Sequence, residues 1–345
     1  MQTQRLNFGG SASEYFRIWI VNLLLSIVTL GIYSAWAKVR RKKYFYRNTT
    51  LDGHNFDYHA NPVAILKGRL IAVPVLGLYI GSGYFSLTVQ IVILVLIGLA
   101  LPWLIVRSQI FNRRNTTYRN VRFDFAPRFR AAYRVVGTRL LLAAVTLGLA
   151  YPLFDYRLRD FIINNSSFGK TNFQFSGAAG RFFKVYYAAY LVTVIAYILA
   201  IFIIFIIVRL MSALQEQSGG SNPPIILLTF LSTILFLVLG LLVSAYIRAR
   251  LANYVYSRTA IGDNTLSCTF RARDLTWIYI SNVVAIVFSV GFLIPWATVR
   301  LTRYQIERIH LTIPESLDAF VGKSAHAESA TGEELAEVFD IGFGL

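Results

Sequence analysis

Long apolar runs separated by clusters of Lys and Arg set the pattern of the chain. They fall near residues 16–37, 70–83, 86–106, 140–154, 185–208, 224–247 and 276–297. A helix needs about 20 apolar residues to cross a hydrocarbon core about 30 Å thick, so most of these runs are long enough. The run at 140–154 is shorter and flanked by Arg134 and Arg139. It reads as a short span with arginines reaching for the interface, or as a re-entrant piece. Between the runs, aromatic and polar residues alternate over a few positions, as in Phe56-Asp57-Tyr58, Phe123-Asp124-Phe125 and Phe173-Gln174-Phe175. Such alternation, bounded by Gly, Pro and Asn, predicts short half-buried strands.

The runs are also related to one another. Anchored on an arginine just beyond an apolar stretch (Arg40, Arg107, Arg157, Arg250, Arg300), a five-fold repeat emerges. Gly31, Gly98, Gly148 and Gly291 stand nine residues before the arginine, and Gly240 ten. Four residues before it come Trp36, Trp103, Leu153, Tyr246 and Trp296. Eight residues after it come Asn48-Thr49, Asn115-Thr116 and Asn165-Ser166, weakening to Arg258-Thr259 and Arg308-Ile309. The units run over about 1–48, 49–115, 116–165, 166–258 and 259–310. Two of them are long enough for two apolar stretches each. The first, third and fifth share a polar pair instead: Asn22 with Thr29, Arg139 with Thr146, and Asn282 with Ser289. Each pair is spaced seven residues apart and therefore lies on one helix face. Polar groups at membrane depth face protein or water, which makes these six candidates for an intramembrane polar site. Helix-to-helix hydrogen bonding is the plainer reading.

Composition narrows the class. With 56% hydrophobic and 15% charged residues, the chain has too little polar surface to coat a water-soluble globule. The body before residue 311 holds 33 basic against 10 acidic residues, set between the apolar runs. That arrangement suits anionic lipid head groups and the positive-inside bias rather than nucleic acid. Arg40, Arg107, Arg157, Arg250 and Arg300, with Trp36, Trp103 and Trp296, are the candidates for binding lipid or another anion. An arginine after an interfacial tryptophan also serves simply to fix topology.

A single cysteine, Cys268, excludes an internal disulfide and a cysteine-built zinc site, and the four histidines lack ligand spacing. No metal or cofactor is expected. Nucleophile elbows, phosphate-cradling loops and zinc-protease motifs are missing, and the acids of the body avoid the middle of the apolar runs. The expectation is a protein that is not an enzyme. The N-terminal stretch carries no cleavable-signal pattern.

Two topologies compete. Seven single crossings would give three-helix halves of opposite orientation, a familiar transporter plan, but would strand ten basic residues on the wrong side and divide the aromatic strands between compartments. The alternative keeps every basic segment on one side, with the short units dipping into the bilayer as bent re-entrant pieces and the long ones crossing twice. The fold expected is an α-helical polytopic membrane protein of five quasi-repeats, each strand, membrane helix and basic amphipathic helix. Its strands would form a small cytoplasmic sheet.

The run from Phe8-Gly9-Gly10 to Tyr58, with its TLGIYSAWAKVR core at Thr29–Arg40, the NTTLDGHNFDY stretch at Asn48–Tyr58 and Lys67-Gly68-Arg69 after it, resembles the signature of the YjgN-like family. The resemblance covers most of residues 6–310. It implies a multi-pass protein of the bacterial inner membrane and no established activity. Residues 311–345 lie outside it and read as an acidic, largely disordered tail, with a capping box at Thr331 and Glu334. Transport or translocation of a small solute or lipid is the function expected. The alternative is a non-enzymatic scaffold binding anionic lipids or a cytoplasmic partner.

Overall fold

The computed structural model describes residues 2–218, 225–314, 317–322 and 324. Four hairpins share one design, a three-residue strand, a two-residue turn and a five-residue strand. They are β3 (Thr49–Leu51) with β4 (His54–Tyr58), β5 (Thr116–Tyr118) with β6 (Val121–Phe125), β7 (Ser166–Phe168) with β8 (Thr171–Phe175), and β9 (Thr259–Ile261) with β10 (Asn264–Cys268). A lone hairpin leaves two edges of unpaired backbone, and here each edge is taken by the next hairpin. Tyr58 faces Thr116, Phe125 faces Ser166, and Phe175 faces Thr259. β10 pairs with β11 (Ile309–Ile313).

The N-terminal segment joins the two ends. β1 (Gln2–Arg5) pairs with β11, β2 (Asn7–Phe8) pairs with β3, and Leu6 between them donates its N–H to the Ile309 carbonyl at 3.2 Å. The result is an eleven-stranded antiparallel sheet that all but closes on itself. The expectation of a small sheet was therefore wrong. Edge satisfaction does not stop at a few strands when every unit supplies a hairpin and one bent strand can bridge the remaining gap.

Residues from every hairpin meet in one apolar cluster that includes Leu51, Tyr118, Phe168, Ile261 and Ile313, with Phe56, Phe123 and Phe173 packed against it. Only the inside of a near-barrel brings them together. Leu317 and Val321 complete this core from a helical stretch after β11, and Phe320 stacks on Phe168 at 5.8 Å. Arg119 pairs with Asp318 at 2.5 Å. The tail boundary drawn at 311 thus falls inside β11, and the acidic segment begins by filling the barrel. Thr331 and Glu334 lie outside the described residues.

The helices follow from the apolar runs: α1 (Ala12–Val28), α2 (Ser34–Arg47), α3 (Pro62–Ser82), α4 (Leu87–Arg114), α5 (Phe129–Ala132), α6 (Thr138–Val145), α7 (Tyr151–Asn164), α8 (Ala179–Ser218), α9 (Ile225–Ser257), α10 (Ala272–Phe288) and α11 (Ile294–Ile306). A π-helical turn, Tyr133–Gly137, joins α5 to α6. Among the described residues four stretches are long and apolar enough to cross a membrane: Pro62–Ser82, Leu87–Arg114, Ala179–Leu210 and Ser232–Ser257. The three remaining pairs, α1 with α2, α6 with α7 and α10 with α11, turn back after one short helix.

Their bends share one geometry. Leu30, Leu147 and Val290 take φ of 48°, 51° and 49°, and the glycines that follow take 91°, 88° and 90°. Gly31, Gly148 and Gly291 each donate to a carbonyl five residues back, at 2.7, 2.7 and 2.8 Å. Two left-handed residues in a row reverse the chain, and glycine bears the second at no steric cost.

Because every strand joins one sheet, each unit must return to the side from which it left. The inverted seven-span topology needs β6 and β7 on opposite sides, yet Phe123 is paired with Phe168. Around the sheet each helical segment packs on its neighbours in the chain, and α11 returns to pack on α1. The helices form a closed circuit above the barrel.

Candidate functional site

The second helix of each unit, α2, α4, α7, α9 or α11, ends on the sheet, and in the first four the last turn is closed by side chains. Asn48, Asn115 and Asn165 donate to carbonyls four residues back at 2.9, 2.7 and 2.6 Å. Thr49, Thr116, Ser166 and Thr259 do the same with their hydroxyls at 2.7–2.8 Å. These bonds occupy carbonyls that a helix end leaves unpaired, and the hydroxyl ones tie each helix end to the first residue of the strand that follows.

One face of these helices carries the repeated arginines, and they do not converge. Arg107 lies over Trp103 at 5.5 Å, Arg157 over Tyr156 at 5.3 Å, Arg250 over Tyr246 at 5.8 Å and Arg300 over Trp296 at 5.1 Å. Arg40 donates to the Tyr33 hydroxyl at 3.1 Å, and Trp36 stacks on that same tyrosine. Arg40, Arg107, Arg157 and Arg250 are exposed, and Trp103 and Trp296 keep 42% and 37% of their surface. Cations stacked on aromatics in this way make an outward belt suited to head-group depth.

The six polar candidates do not assemble into one pocket either. Thr29, Thr146 and Ser289 sit at the three bends. Each donates to a carbonyl of its own helix, and each accepts an N–H from beyond the turn: Tyr33 at 2.9 Å, Ala150 at 3.0 Å and Leu293 at 3.0 Å. Asn282 is buried and ties α10 to α11, donating to the Ala297 carbonyl at 3.2 Å and accepting from Arg300 at 3.2 Å. Asn22 is its counterpart in α1, but its Oδ1 is buried with no partner, because Arg40 turns to Tyr33 instead. Arg139 on α6 is half-buried.

The opposite face of the second helices was not anticipated, and there charges do converge. Tyr256 of α9 has as its charged neighbours Arg113 of α4, Arg159 of α7 and Arg248 of its own helix. Arg113 is in turn next to Tyr46 of α2. Side chains of four helices of the circuit are thus close enough to feel one another's charge. Arg159 is bonded to Asp155 at 2.8 Å, whereas no carboxylate partner of Arg113 or Arg248 is seen among the described residues. Both Arg113 and Tyr256 are half-buried. Beside them Lys42 donates to the Tyr58 hydroxyl at 3.5 Å and to the Asn112 side-chain oxygen. Burial, aided by the charge of Lys38, pushes the Lys42 ammonium down to about 8, and burial pushes the Tyr58 phenol up to about 12. The Gln305 amide nitrogen of α11 is buried without a partner. A signal for this face did exist in the sequence: Tyr46, Arg113 and Tyr256 each stand six residues after the anchoring arginine, and Lys42 and Arg159 two after it. On a helix, a shift of two residues turns a side chain to nearly the opposite face.

A basic, aromatic-belted circuit of apolar helices with four membrane-length members defines a helical membrane protein. A family described as "Bacterial protein of unknown function (DUF898)" matches residues 3–338, and the chain belongs to that family. Inner membrane protein YjgN of Salmonella typhimurium is 30% identical over 138 residues, which are 37% of this chain and 33% of the relative. Inner membrane protein YjgN of Escherichia coli K12 is 47% identical over 51 residues, 15% of this chain and 13% of the relative. The chain thus aligns with a third or less of the length of these relatives. No solved structure matches it.

Proposed function

We propose that the protein is a multi-pass protein of the bacterial inner membrane that binds a small anionic solute inside its circuit of helices and transports it. The observation that supports this reading is the gathering of Arg113, Arg159 and Arg248, from three helices, near Tyr256. Cations held close together away from bulk water repel one another, and a phosphate or carboxylate offsets that cost with charge-assisted hydrogen bonds. The tyrosines Tyr46 and Tyr256 add donors at the same place. The reading assigns no catalytic step to any residue.

The test uses full-length protein in vesicles of neutral phosphatidylcholine, with uptake of inorganic phosphate and of citrate measured separately. Arg113→Gln and Arg248→Gln should each lower uptake of the transported anion by about tenfold, the size of one lost charge-assisted contact. Uptake equal to that of empty vesicles for both anions, or unchanged in both variants, overturns the reading. A scaffold on the anionic leaflet is the second reading, favoured by the outward arginine–aromatic stacks. In that case exchanging Arg40, Arg41, Lys42 and Lys43 for glutamate abolishes recruitment to anionic vesicles while the Arg113 and Arg248 variants recruit normally.

A further inference from the structure

The fifth unit carries a second cationic feature, on the outside of the circuit. A cavity of about 1030 Å³ lies between α10 and α11, next to the start of α1. Five arginines and two acids line it, Asp274 and Glu307. Both acids are already engaged, Asp274 by Arg308 at 2.9 Å and Glu307 by Arg5 at 3.3 Å. The other four, Arg271, Arg273, Arg300 and Arg303, have no carboxylate partner among the described residues. Arg303 donates to the Gly10 carbonyl at 2.8 Å, and Arg300 reaches Ser281 at 2.6 Å and Asn282 at 3.2 Å. These contacts aim the two guanidiniums without neutralising them.

Two of the four stand where a helix tolerates cations least. Arg271 is the N-cap of α10 and Arg273 lies in its first turn, at the positive end of the helix dipole. The corresponding positions of α1 are Ser11 and Ser13, and Ser11 caps that helix by accepting the Glu14 N–H at 3.2 Å. The fifth unit has thus given up a side-chain cap for two cations that make no ion pair. An anion seated in the cavity removes both penalties, since it is attracted by the guanidiniums and by the unpaired N–H groups of the first turn.

The surroundings distinguish a lipid from a free ion. Trp277 stands 66% exposed at the edge of the cavity, and beyond it the same hairpin presents Val287, Phe288 and Val290, exposed at 68%, 85% and 87%. A charged recess that opens onto an apolar, membrane-dipping hairpin matches a molecule with a phosphate at one end and acyl chains at the other. We infer that the groove between α10 and α11 is a binding site for one anionic phospholipid, its phosphate held by Arg271, Arg273, Arg300 and Arg303 and its chains lying along Trp277 and the hairpin tip. None of these residues belongs to the inner cluster, so the two proposals stand or fall separately.

The test reads contact directly. Full-length protein in neutral detergent is titrated with phosphatidylglycerol or phosphatidylcholine brominated in the acyl chains, and quenching of tryptophan fluorescence is followed. Brominated phosphatidylglycerol should quench at lower concentration than the phosphatidylcholine, and Trp277→Phe should remove most of the difference. Arg271→Gln with Arg273→Gln alters two side chains that make no contact needed for folding. This pair should weaken phosphatidylglycerol binding about 10- to 30-fold, while Arg181→Gln, exposed at the start of α8, leaves it unchanged. Equal quenching by the two lipids, or affinity unchanged in the Arg271/Arg273 variant, overturns the site. Displacement of the brominated lipid by millimolar inorganic phosphate also overturns it, because the groove would then take a free anion.

Discussion

Lys42 shows how position decides the chemistry of a side chain. It stands in a run of four basic residues, Arg40 to Lys43, and is turned inward, with Tyr58 and Asn112 as its partners. Its ammonium is lowered to about 8 by burial and by Lys38. A base whose folded value lies below its unfolded one binds fewer protons when folded, so stability rises as the pH climbs from about 8 toward 10.5. Below about pH 8 both states are protonated and the cost of burying the charge is fully present. Pulse acetylation read by mass spectrometry should therefore show Lys42 half-maximally reactive near pH 8. Half-maximal reactivity of Lys42 near 10.5, the ordinary lysine value, would contradict the inward placement. The basic run was legible in the sequence; which member faces inward was not, because adjacent residues of one helix differ only by rotation, and the rotation is set by the packing of α2 on α1, α3 and β4.

At the scale of elements, the three bends and the hairpins behave differently toward sequence reading. The polar pairs of the short units were visible as a seven-residue spacing, but their roles divide. The second member of each pair builds a turn, and only Asn282 bridges two helices. Gly291 tests the bend cleanly, since a Cβ there would meet only Ile294 at an ordinary 3.6 Å. Gly291→Ala should then cost about 1–2 kcal/mol through its φ of 90° alone. Thr146→Val should cost about 1 kcal/mol through loss of the bond to Ala150. Thermal unfolding in detergent measures both. A Gly291→Ala variant as stable as the parent would mean that the left-handed bend does not persist in solution. The aromatic alternation marked the places of β4, β6 and β8, because period-two burial is a local property. It carried no information about how many strands would join.

The whole molecule rests on closure. β1 and β2 bend about Leu6 to bridge β11 and β3, and the stretch from Leu317 fills the interior. Leu317 is 5% exposed, so Leu317→Ala should destabilise the barrel by about 2–4 kcal/mol. Gly169 gives an independent probe of the same contact. A Cβ there would stand 2.7 Å from the Ser324 carbonyl oxygen, at a φ of 53°. Gly169→Ala should displace the filling segment, and limited chymotryptic digestion should cut after Phe320 faster than in the parent protein. Equal cleavage would show that the segment does not lie over this turn.

Sequence alone determined the solvent of this protein, the places where its helices and strands fall, and the family to which it belongs, because hydrophobic length, periodicity and motif identity are read along the chain. The tertiary structure alone decided that the strands form a single near-barrel, that the short units turn back, and that Arg113, Arg159 and Arg248 gather near Tyr256 while Arg40, Arg107, Arg157 and Arg250 are exposed. Those outcomes depend on hydrogen bonds and packing between residues far apart in the chain, such as Phe123 with Phe168 and α11 with α1. Backbone edges and helix faces are equivalent in one unit taken by itself. They acquire an inside and an outside only when the last unit meets the first.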